Sequence, residues 1–406
     1  RNMGALRAGQ AELPAVLVLG GSTFMGRALV ESLVARPAVV CLVNRGREYW
    51  GVDDTSGGRA ARVIANRRDT REFSARLDEV TRRLGRRWDL VADFSAYGAS
   101  DIRTALEGLR GRFGTYAYIS SDSVYEVSDW ASRGWKPESG AKSPMVSEGI
   151  GQRPESSAER RRLRKADSYG DGKLEAEEAL AAGLAAEEAS ACRSVSLRLP
   201  DVIGPFDDTL RLWAYWHWLQ ASAEKAPGPQ IRASRPSKRA RDDGVDEAVP
   251  ADPQMAFVFS RDVARFIVGL LDCDLKPDTP RADAVNLGCI EQPVLAEMLA
   301  QLAAASGLQG PPSLIEADRP RSFLPSVERP WPLCLRRATE VYGFTPTPLL
   351  EVLQVCAAWF QKSCADFPNE AGRAARKLPN DAAEVALRRA GIEAKSSSSS
   401  SSDSSS

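Results

Sequence analysis

The feature of this sequence that most restricts its fold is a glycine-containing turn between a short apolar run and a helical pattern. The run AVLVLG at residues 15–20 shows no alternation of polar and apolar side chains, which predicts a parallel strand buried on both faces. Residues 24–33 then repeat apolar side chains at helical spacing, and residues 38–43 return to a strand pattern. Strand, helix and strand in this order form a right-handed βαβ unit, so the chain begins with a parallel sheet.

The alternation of strand and helix patterns continues as far as residue 199. Further strand patterns occur at residues 62–64, 90–94, 115–119 and 194–199, and further helical patterns at 71–84, 102–109 and 169–184. This order predicts an α/β fold with a doubly wound parallel sheet, the Rossmann architecture. Beyond Pro205 the pattern becomes irregular, and we expect a smaller C-terminal lobe with helices near residues 262–271, 294–305 and 348–362.

Shifts in composition divide the chain into five predicted parts. The stretch 126–168 is rich in Ser, Pro and charge, which predicts a long surface excursion. The terminal serines cannot bury enough surface to offset the entropy of ordering them. The predicted parts are an N-terminal tail (1–13), a dinucleotide-binding Rossmann domain (14–204), a mainly substrate-binding lobe (205–368), a polar helical extension (369–395) and a disordered Ser-rich tail (396–406).

Charge and cysteine content limit the partners of the chain. With 54 basic and 54 acidic residues it has no strong global field to steer it to nucleic acid or to an anionic membrane. No run approaches the roughly 20 apolar residues that a membrane span needs. The seven cysteines form no CxxC pair and there is a single histidine, His217, so we expect no metal site. We expect a cytoplasmic protein that acts on a small molecule; the start at Arg1 leaves an organelle open.

The glycine turn has the context of a dinucleotide-binding fingerprint, because it follows a strand and opens a helix. Gly20 permits a tight turn, Gly26 permits close packing of the helix on the sheet, and the helix N-terminus offers N–H groups to a pyrophosphate. The cofactor-binding residues predicted in this turn are Gly20, Ser22, Thr23, Phe24, Met25 and Gly26.

A reactive pair follows downstream in the segment YGDGK, where Tyr169 and Lys173 stand four residues apart at the start of a predicted helix. That spacing puts both side chains on one face. A free phenol titrates near 10, and a neighbouring ammonium lowers its pKa towards the range in which it acts as a base. The charge of a bound oxidised nicotinamide would add to this effect. Alone, such a pair is common on helix surfaces, so the other motifs matter.

The segment YISSDSVYE at residues 118–126 supplies a third element, because Ser121 ends a predicted strand on the side where such sheets bind ligands. There it could lie beside the Tyr169 phenol and donate to a substrate oxygen. Glycine turn, Ser121, and then Tyr169 with Lys173 resemble the extended short-chain dehydrogenase/reductases, the NAD-dependent epimerase/dehydratase family. The resemblance spans roughly residues 14–365 and includes RLPDVIGP at 198–205 and AVNLG at 284–288.

This resemblance implies a role for each matching residue. Tyr169 would be the general base, Lys173 would hold the cofactor ribose and lower the phenol pKa, and Ser121 would hydrogen-bond the substrate. The substrate-side residues would be Asp122, Ser123 and Pro200. Family dehydratases have Thr-Asp-Glu where this chain has Ser-Asp-Ser, and Ser123 in place of that glutamate argues for epimerisation or carbonyl reduction instead.

Departures from the family pattern bear on the cofactor. Thr23 replaces the middle glycine of the turn, and an atypical branch with similar turns includes chloroplast stem-loop RNA-binding proteins. Asn44 and Arg45 stand where an NAD-specific enzyme has an acidic residue, so Arg45 or Arg47 could pair with a 2′-phosphate. We therefore expect NAD(P), with a preference for NADP. Asn66 and Ser95, each following a strand, are the remaining predicted cofactor-binding residues.

Three classes of function remain open from the sequence. The first is an NAD(P)-dependent oxidoreductase or epimerase that acts on a carbinol or ketone carbon, with a nucleotide-sugar as the expected substrate and a homodimer as one possible assembly. The second is an RNA-binding or scaffolding protein of the chloroplast stem-loop type on a retained Rossmann fold, which the balanced charge disfavours; a regulator that binds NADPH without turnover is a third. We interpret the aromatic run at 213–218, His217 included, as lobe core.

Overall fold

The computed structural model describes residues 13–52, 54–129, 152–186, 191–232, 254–327 and 332–392. Its centre is a seven-stranded parallel sheet in the order β10-β6-β5-β4-β1-β2-β3. Four short strands form two further parallel pairs, β7 with β9 and β8 with β11. The strands are β1 Ala15–Leu19, β2 Val39–Asn44, β3 Ala61–Ile64, β4 Trp88–Asp93, β5 Phe113–Ser121, β6 Arg193–Leu199, β7 Asp201–Ile203, β8 Gln230–Arg232, β9 Phe257–Phe259, β10 Ala282–Asn286 and β11 Ile315–Ala317.

Helices cover both faces of the sheet and build a second core beside it. They are α1 Phe24–Val34, α2 Thr70–Leu84, α3 Ala99–Leu109, α4 Ser157–Ala166, α5 Ser168–Ala186, α6 Arg211–Ala223, α7 Ser260–Gly269, α8 Leu295–Ala305, α9 Arg336–Tyr342, α10 Leu349–Asp366, α11 Pro368–Ala375 and α12 Asn380–Arg389. In the described part of the chain, none of them is both long enough and apolar enough to cross a membrane.

The apolar strands explain why the sheet lies between two helical layers. Every residue of β1 is buried, so each of its faces needs an apolar cover. One face packs against α2, α3 and α5, with Leu77 and Ile102 among the contacts, and the other against α1 and α7, with Leu29 and Val263. The predicted α/β fold with a doubly wound parallel sheet is confirmed.

The second core is built on α6. Its residues 212–221 are all buried, and they pack on α8, α10, α11 and α12. Trp213 stacks on Phe360 with ring centroids 5.6 Å apart, and on His217 at 5.8 Å. The interpretation of the aromatic run as lobe core is therefore confirmed, and His217 is a buried member of it.

The second core also includes a tryptophan from the N-terminal part of the chain. Trp50, in the loop after β2, is only 6% exposed. Its ring lies 5.2 Å from that of Phe367, 5.5 Å from Trp359 and 6.3 Å from Trp213. It has a φ of +56°, a left-handed conformation that costs energy for a non-glycine residue, so its burial has to hold it there.

Two segments differ from a simple reading of the sequence pattern. The surface excursion contains α4, which Ser156 caps by accepting the Glu159 N–H, and Arg164 of α4 pairs with Asp171 of α5 at 3.3 Å.

The chain beyond residue 205 is not confined to the second core, because β10 pairs with β6 and α7 packs on α1. The polar extension contains α11 and α12. Residues 1–12, Asp53 and the Ser-rich tail lie outside the described residues, and the five-part division remains a prediction.

Candidate functional site

The glycine turn adopts a backbone that side chains would disturb. Gly20 and Gly21 have φ values of +111° and +87°, in the region that favours glycine. A Cβ on Gly26 would lie 2.7 Å from the Gly21 Cα, which is closer than packed atoms allow. No side chain caps α1, which begins after Thr23, so its first N–H groups are available to an anion.

A cavity of about 640 Å³ lies over this turn, at the carboxyl ends of β1, β2 and β4. This is the switch point of the strand order, where open α/β sheets bind ligands. The structure brings all of the predicted cofactor-binding residues except Lys173 to its lining: Gly20, Ser22, Thr23, Phe24, Met25, Gly26, Asn44, Arg45, Asn66 and Ser95. Left-handed glycines, an uncapped helix and this cavity together fit the pyrophosphate of a dinucleotide.

The loop after β2 gives the cavity a basic rim. Arg45 and Arg47 are exposed and line it beside Tyr49, whose hydroxyl lies 3.4 Å from the Arg45 Nη2. The Asn44 side chain accepts the N–H of Gly46 at 3.0 Å, so it shapes the loop. No carboxylate follows β2 where it could bind a ribose diol, because Asn44 occupies that place.

A second cavity, of about 730 Å³, adjoins the first, and both are lined by Phe24, Met25, Tyr97 and Asp208. It lies at the carboxyl ends of β5 and β6 and is covered by residues 322–326 of the second half of the chain. The predicted catalytic and substrate residues that line it are Ser121, Tyr169, Asp122, Ser123 and Pro200. One cavity therefore holds the cofactor candidates, and its neighbour holds the substrate candidates.

The Tyr169 phenol and the Ser121 hydroxyl meet in this second cavity. Loss of solvation around the phenol oxygen, with Tyr97 and Asp122 nearby, raises the pKa of Tyr169 to about 12, although the side chain as a whole is 48% exposed. Ser121 and Arg211 act in the opposite direction and lower this pKa. The sequence led us to expect a lowered pKa, so in the protein alone this phenol is a weaker acid than expected.

Lys173 does not line either cavity. It is 3% exposed, and its Nζ donates to the carbonyl oxygens of Ala96 at 2.9 Å and Ile119 at 2.8 Å. The Nζ lies 5.7 Å from the Tyr169 ring centroid. Burial lowers the lysine pKa to about 8. The Lys173 ammonium therefore lies below the residues that line the second cavity, near the Tyr169 phenol but not exposed beside it.

Two carboxyl groups, those of Asp122 and Asp201, line the second cavity. Burial and the nearby Asp201 raise the pKa of Asp122 to about 7. Burial also raises the pKa of Asp201, whose carboxylate accepts the N–H and the hydroxyl of Ser326 and lies 3.5 Å from Arg211. Asp122 is therefore poised to exchange a proton near neutral pH.

Several lining residues were missed from the sequence. Arg67 faces the cofactor cavity, while Tyr97, Asp201 and Arg211 face the substrate cavity. Asp201 stands inside the RLPDVIGP junction and Arg67 next to Asn66, so both positions were already marked by motifs. The hydrogen-bond partners of Arg67 lie on elements distant in sequence, so no local sequence pattern could predict these contacts.

Comparison with known proteins places the fold. No family model matches the chain, and no curated protein matches its sequence. Among solved structures, it is similar to dTDP-glucose 4,6-dehydratase from Bacillus anthracis in complex with NAD, with a TM-score of 0.58 at 13% identity over 88% of this chain and 99% of that one. It is also similar to UDP-glucose 4-epimerase from Thermotoga maritima with UDP-glucose, with a TM-score of 0.57 at 16% identity over 86% and 99%.

A third similar structure is UDP-glucose 4-epimerase from Bifidobacterium longum in complex with NAD+ and UDP, with a TM-score of 0.58 at 15% identity over 88% of this chain and 99% of that one. These three solved structures are one dehydratase with NAD bound and two epimerases, one with UDP-glucose and one with NAD+ and UDP. The chain has their fold over nearly their whole length.

Proposed function

We propose that this protein is an NAD(P)-dependent oxidoreductase or epimerase that acts on a carbinol or ketone carbon. The observation that carries the proposal is the meeting of two cavities: the Tyr169–Ser121 pair lines one, the glycine turn lines the other, and Tyr97 lines both. Such an arrangement lets a substrate oxygen reach the phenol while its carbon faces the neighbouring cavity.

Each residue of the site has a separate role in the proposed reaction. Ser121 donates a hydrogen bond to the substrate oxygen, and Tyr169 removes or returns the hydroxyl proton. Lys173 adds a buried positive charge beneath the phenol. Asp122, Ser123 and Pro200 contact the rest of the substrate. The nicotinamide cofactor, when bound, accepts or returns the hydride.

Because the Tyr169 pKa is about 12 in the protein alone, the phenolate fraction grows throughout the range in which enzymes are assayed. We therefore expect alcohol oxidation to accelerate as the pH rises. Positive charge beside the phenol shifts that rise to lower pH, so bound oxidised cofactor should increase the phenolate fraction at a given pH.

The rim of Arg45 and Arg47 supports NADP as the preferred cofactor, since guanidinium groups pair well with a 2′-phosphate and Asn44 stands at the end of β2, where an NAD-specific enzyme has an acidic residue. The similar solved structures hold NAD. The test is to denature the purified protein and identify the released nucleotide by mass spectrometry. NADP in the released fraction supports this assignment, and NAD alone overturns it.

A nucleotide-sugar is the substrate class that the similar structures suggest, because UDP-glucose or UDP is bound in two of them. Ser123 in place of a glutamate favours epimerisation or simple oxidation and reduction over dehydration. If the ketone formed is reduced again from its other face, the net reaction is epimerisation. If the ketone leaves, the protein is a dehydrogenase.

Replacing the phenol oxygen tests the mechanism. We expect Tyr169→Phe to abolish turnover in a coupled sugar assay and to leave cofactor binding, measured by nicotinamide fluorescence, nearly unchanged. The matched control is Tyr342→Phe, which removes a phenol that donates to Asp283 away from both cavities. Equal turnover in Tyr169→Phe and the control would refute the mechanism. Absence of any bound nucleotide, together with RNA affinity that falls steeply with salt, would favour the RNA-binding alternative.

A further inference from the structure

Arg67 lines the cofactor cavity, yet its guanidinium is already engaged. Nη1 and Nη2 donate to the two carboxylate oxygens of Asp93 at 2.8 and 2.7 Å. Nη1 also donates to the Ser95 hydroxyl at 2.7 Å, and Nη2 to the Asp101 carbonyl at 2.9 Å. Because a phosphate would have to displace a buried carboxylate, Arg67 is not built as an anion ligand.

The partner of Arg67 fixes the turn that follows β4. The Asp93 Oδ1 accepts the N–H of Ser95 at 2.9 Å and of Ala96 at 3.1 Å, while Oδ2 accepts the Tyr116 hydroxyl at 2.6 Å. A side chain that binds two successive N–H groups defines the orientation of the peptide between them. The Ala96 carbonyl belongs to the next peptide. Arg67 donates to the Asp101 main chain, and the Asp101 carboxylate accepts the N–H of Tyr97 at 2.8 Å, which orients the peptide that carries the Ala96 carbonyl.

That carbonyl is one of the two acceptors that hold Lys173, and the Ile119 carbonyl is the other. An ammonium has three donors, so two of them are used by main-chain oxygens and one is left for a ligand. We propose that Arg67 and Asp93 are positioning residues that set the place and the charge environment of Lys173 through the turn at residues 94–97. The use of Lys173 in turnover rests on the proposed function, whereas its placement does not.

The charges around Lys173 provide a way to test this proposal. Burial lowers the pKa of Lys173 to about 8, Asp93 raises it and Arg67 lowers it. The two partners of one ion pair therefore act on the lysine in opposite directions. The other groups that face the ammonium are the carboxylates of Asp101 and Glu177 and the phenol rings of Tyr97, Tyr118 and Tyr169.

The test is a pH titration of the full chain carrying ¹³Cε-lysine, followed by NMR, with the Lys173 signal assigned by its loss in Lys173→Met. We expect the Lys173 pKa to fall in Asp93→Asn and to rise in Arg67→Gln, each by about one unit. Arg67→Lys should restore a value near that of the original protein, since it keeps the charge. The matched control is Arg337→Gln, which breaks another buried pair, with Asp283, on the far side of β10.

Shifts in the same direction, or no shift in either variant, would overturn the proposal. Should a single variant fail to fold, the double variant Arg67→Met with Asp93→Asn carries no unpaired buried charge and keeps an acceptor for the turn. Its Lys173 pKa is expected close to that of the original protein, because the opposing effects of the two charges are removed together, and a shift of about one unit in either direction contradicts the proposal. Because the readout is independent of turnover, a failure of the proposed enzymatic function and a failure of this inference give different results.

Discussion

The single histidine of the chain should contribute a loss of stability in mild acid. His217 is buried among Trp213, Trp216 and Phe360, and burial with the nearby Arg389 lowers its pKa from about 6.5 to about 3. Below pH 6.5 the unfolded chain gains a proton that the folded chain cannot take up, so stability falls as the pH falls. With 1.36 kcal/mol for each pKa unit, the loss at pH 5 is about 2 kcal/mol relative to pH 7.5.

The assay is urea unfolding followed by far-UV circular dichroism at several pH values between 5 and 7.5, for the original protein and for His217→Phe. The raised pKa values of Asp122, about 7, and Asp207, about 6, act in the opposite direction, because the folded state holds those protons more tightly. They are common to both proteins, so the difference between the two curves isolates the histidine. We expect that difference to change by about 2 kcal/mol across this range. Parallel curves would refute the reasoning and point to a histidine that titrates normally.

Three further substitutions test how the fold supports the site. Gly26→Ala places a methyl group against the backbone of Gly21 and should cost about 1–3 kcal/mol in urea unfolding and weaken cofactor binding; unchanged values would contradict the packing argument. Trp50→Ala should cost about 3–5 kcal/mol and also raise the cofactor dissociation constant, read by nicotinamide fluorescence, and a loss of stability with unaltered binding would separate the two effects. Arg198→Met strands the buried Glu177 carboxylate and should cost about 3–5 kcal/mol, most of which Glu177→Leu should restore in the double variant; no recovery would mean that shape matters more than charge.

The central sheet could be predicted because its signals are local. Each of the strands β1 to β6 is a short apolar or β-rich run, and each intervening helix repeats apolar side chains at its own period, so patterns of a few residues suffice. The helix α4 escaped because its composition is polar, although Ser156 followed by Glu159 is a recognisable N-terminal signal. The strand β10 joins the sheet from a part of the chain where the alternation had ended, and only the tertiary structure reveals that pairing.

Features of the site could also be predicted where the sequence signal was local, and could not where they depend on residues distant in sequence. The turn at residues 20–26 and the pair of Tyr169 and Lys173 were found because motif spacing reflects backbone geometry. The raised pKa of the phenol was not, since burial by residues distant in sequence causes it. Likewise, the contact of Lys173 with two carbonyl groups depends on how β4 and β5 end beside α5, which no spacing within α5 encodes.

The insertion of Trp50 among aromatic rings of the second core has a consequence for biosynthesis. Its neighbours Trp359 and Phe367 are translated about 300 residues later, so a nascent chain on the ribosome exposes this indole until the C-terminal helices emerge. Since the same loop carries Arg45, Arg47 and Tyr49, the cavity over the glycine turn acquires its outer wall only at the end of synthesis. A fragment truncated after the sixth strand would therefore expose the Trp50 indole to chaperones and would lack part of the wall of this cavity.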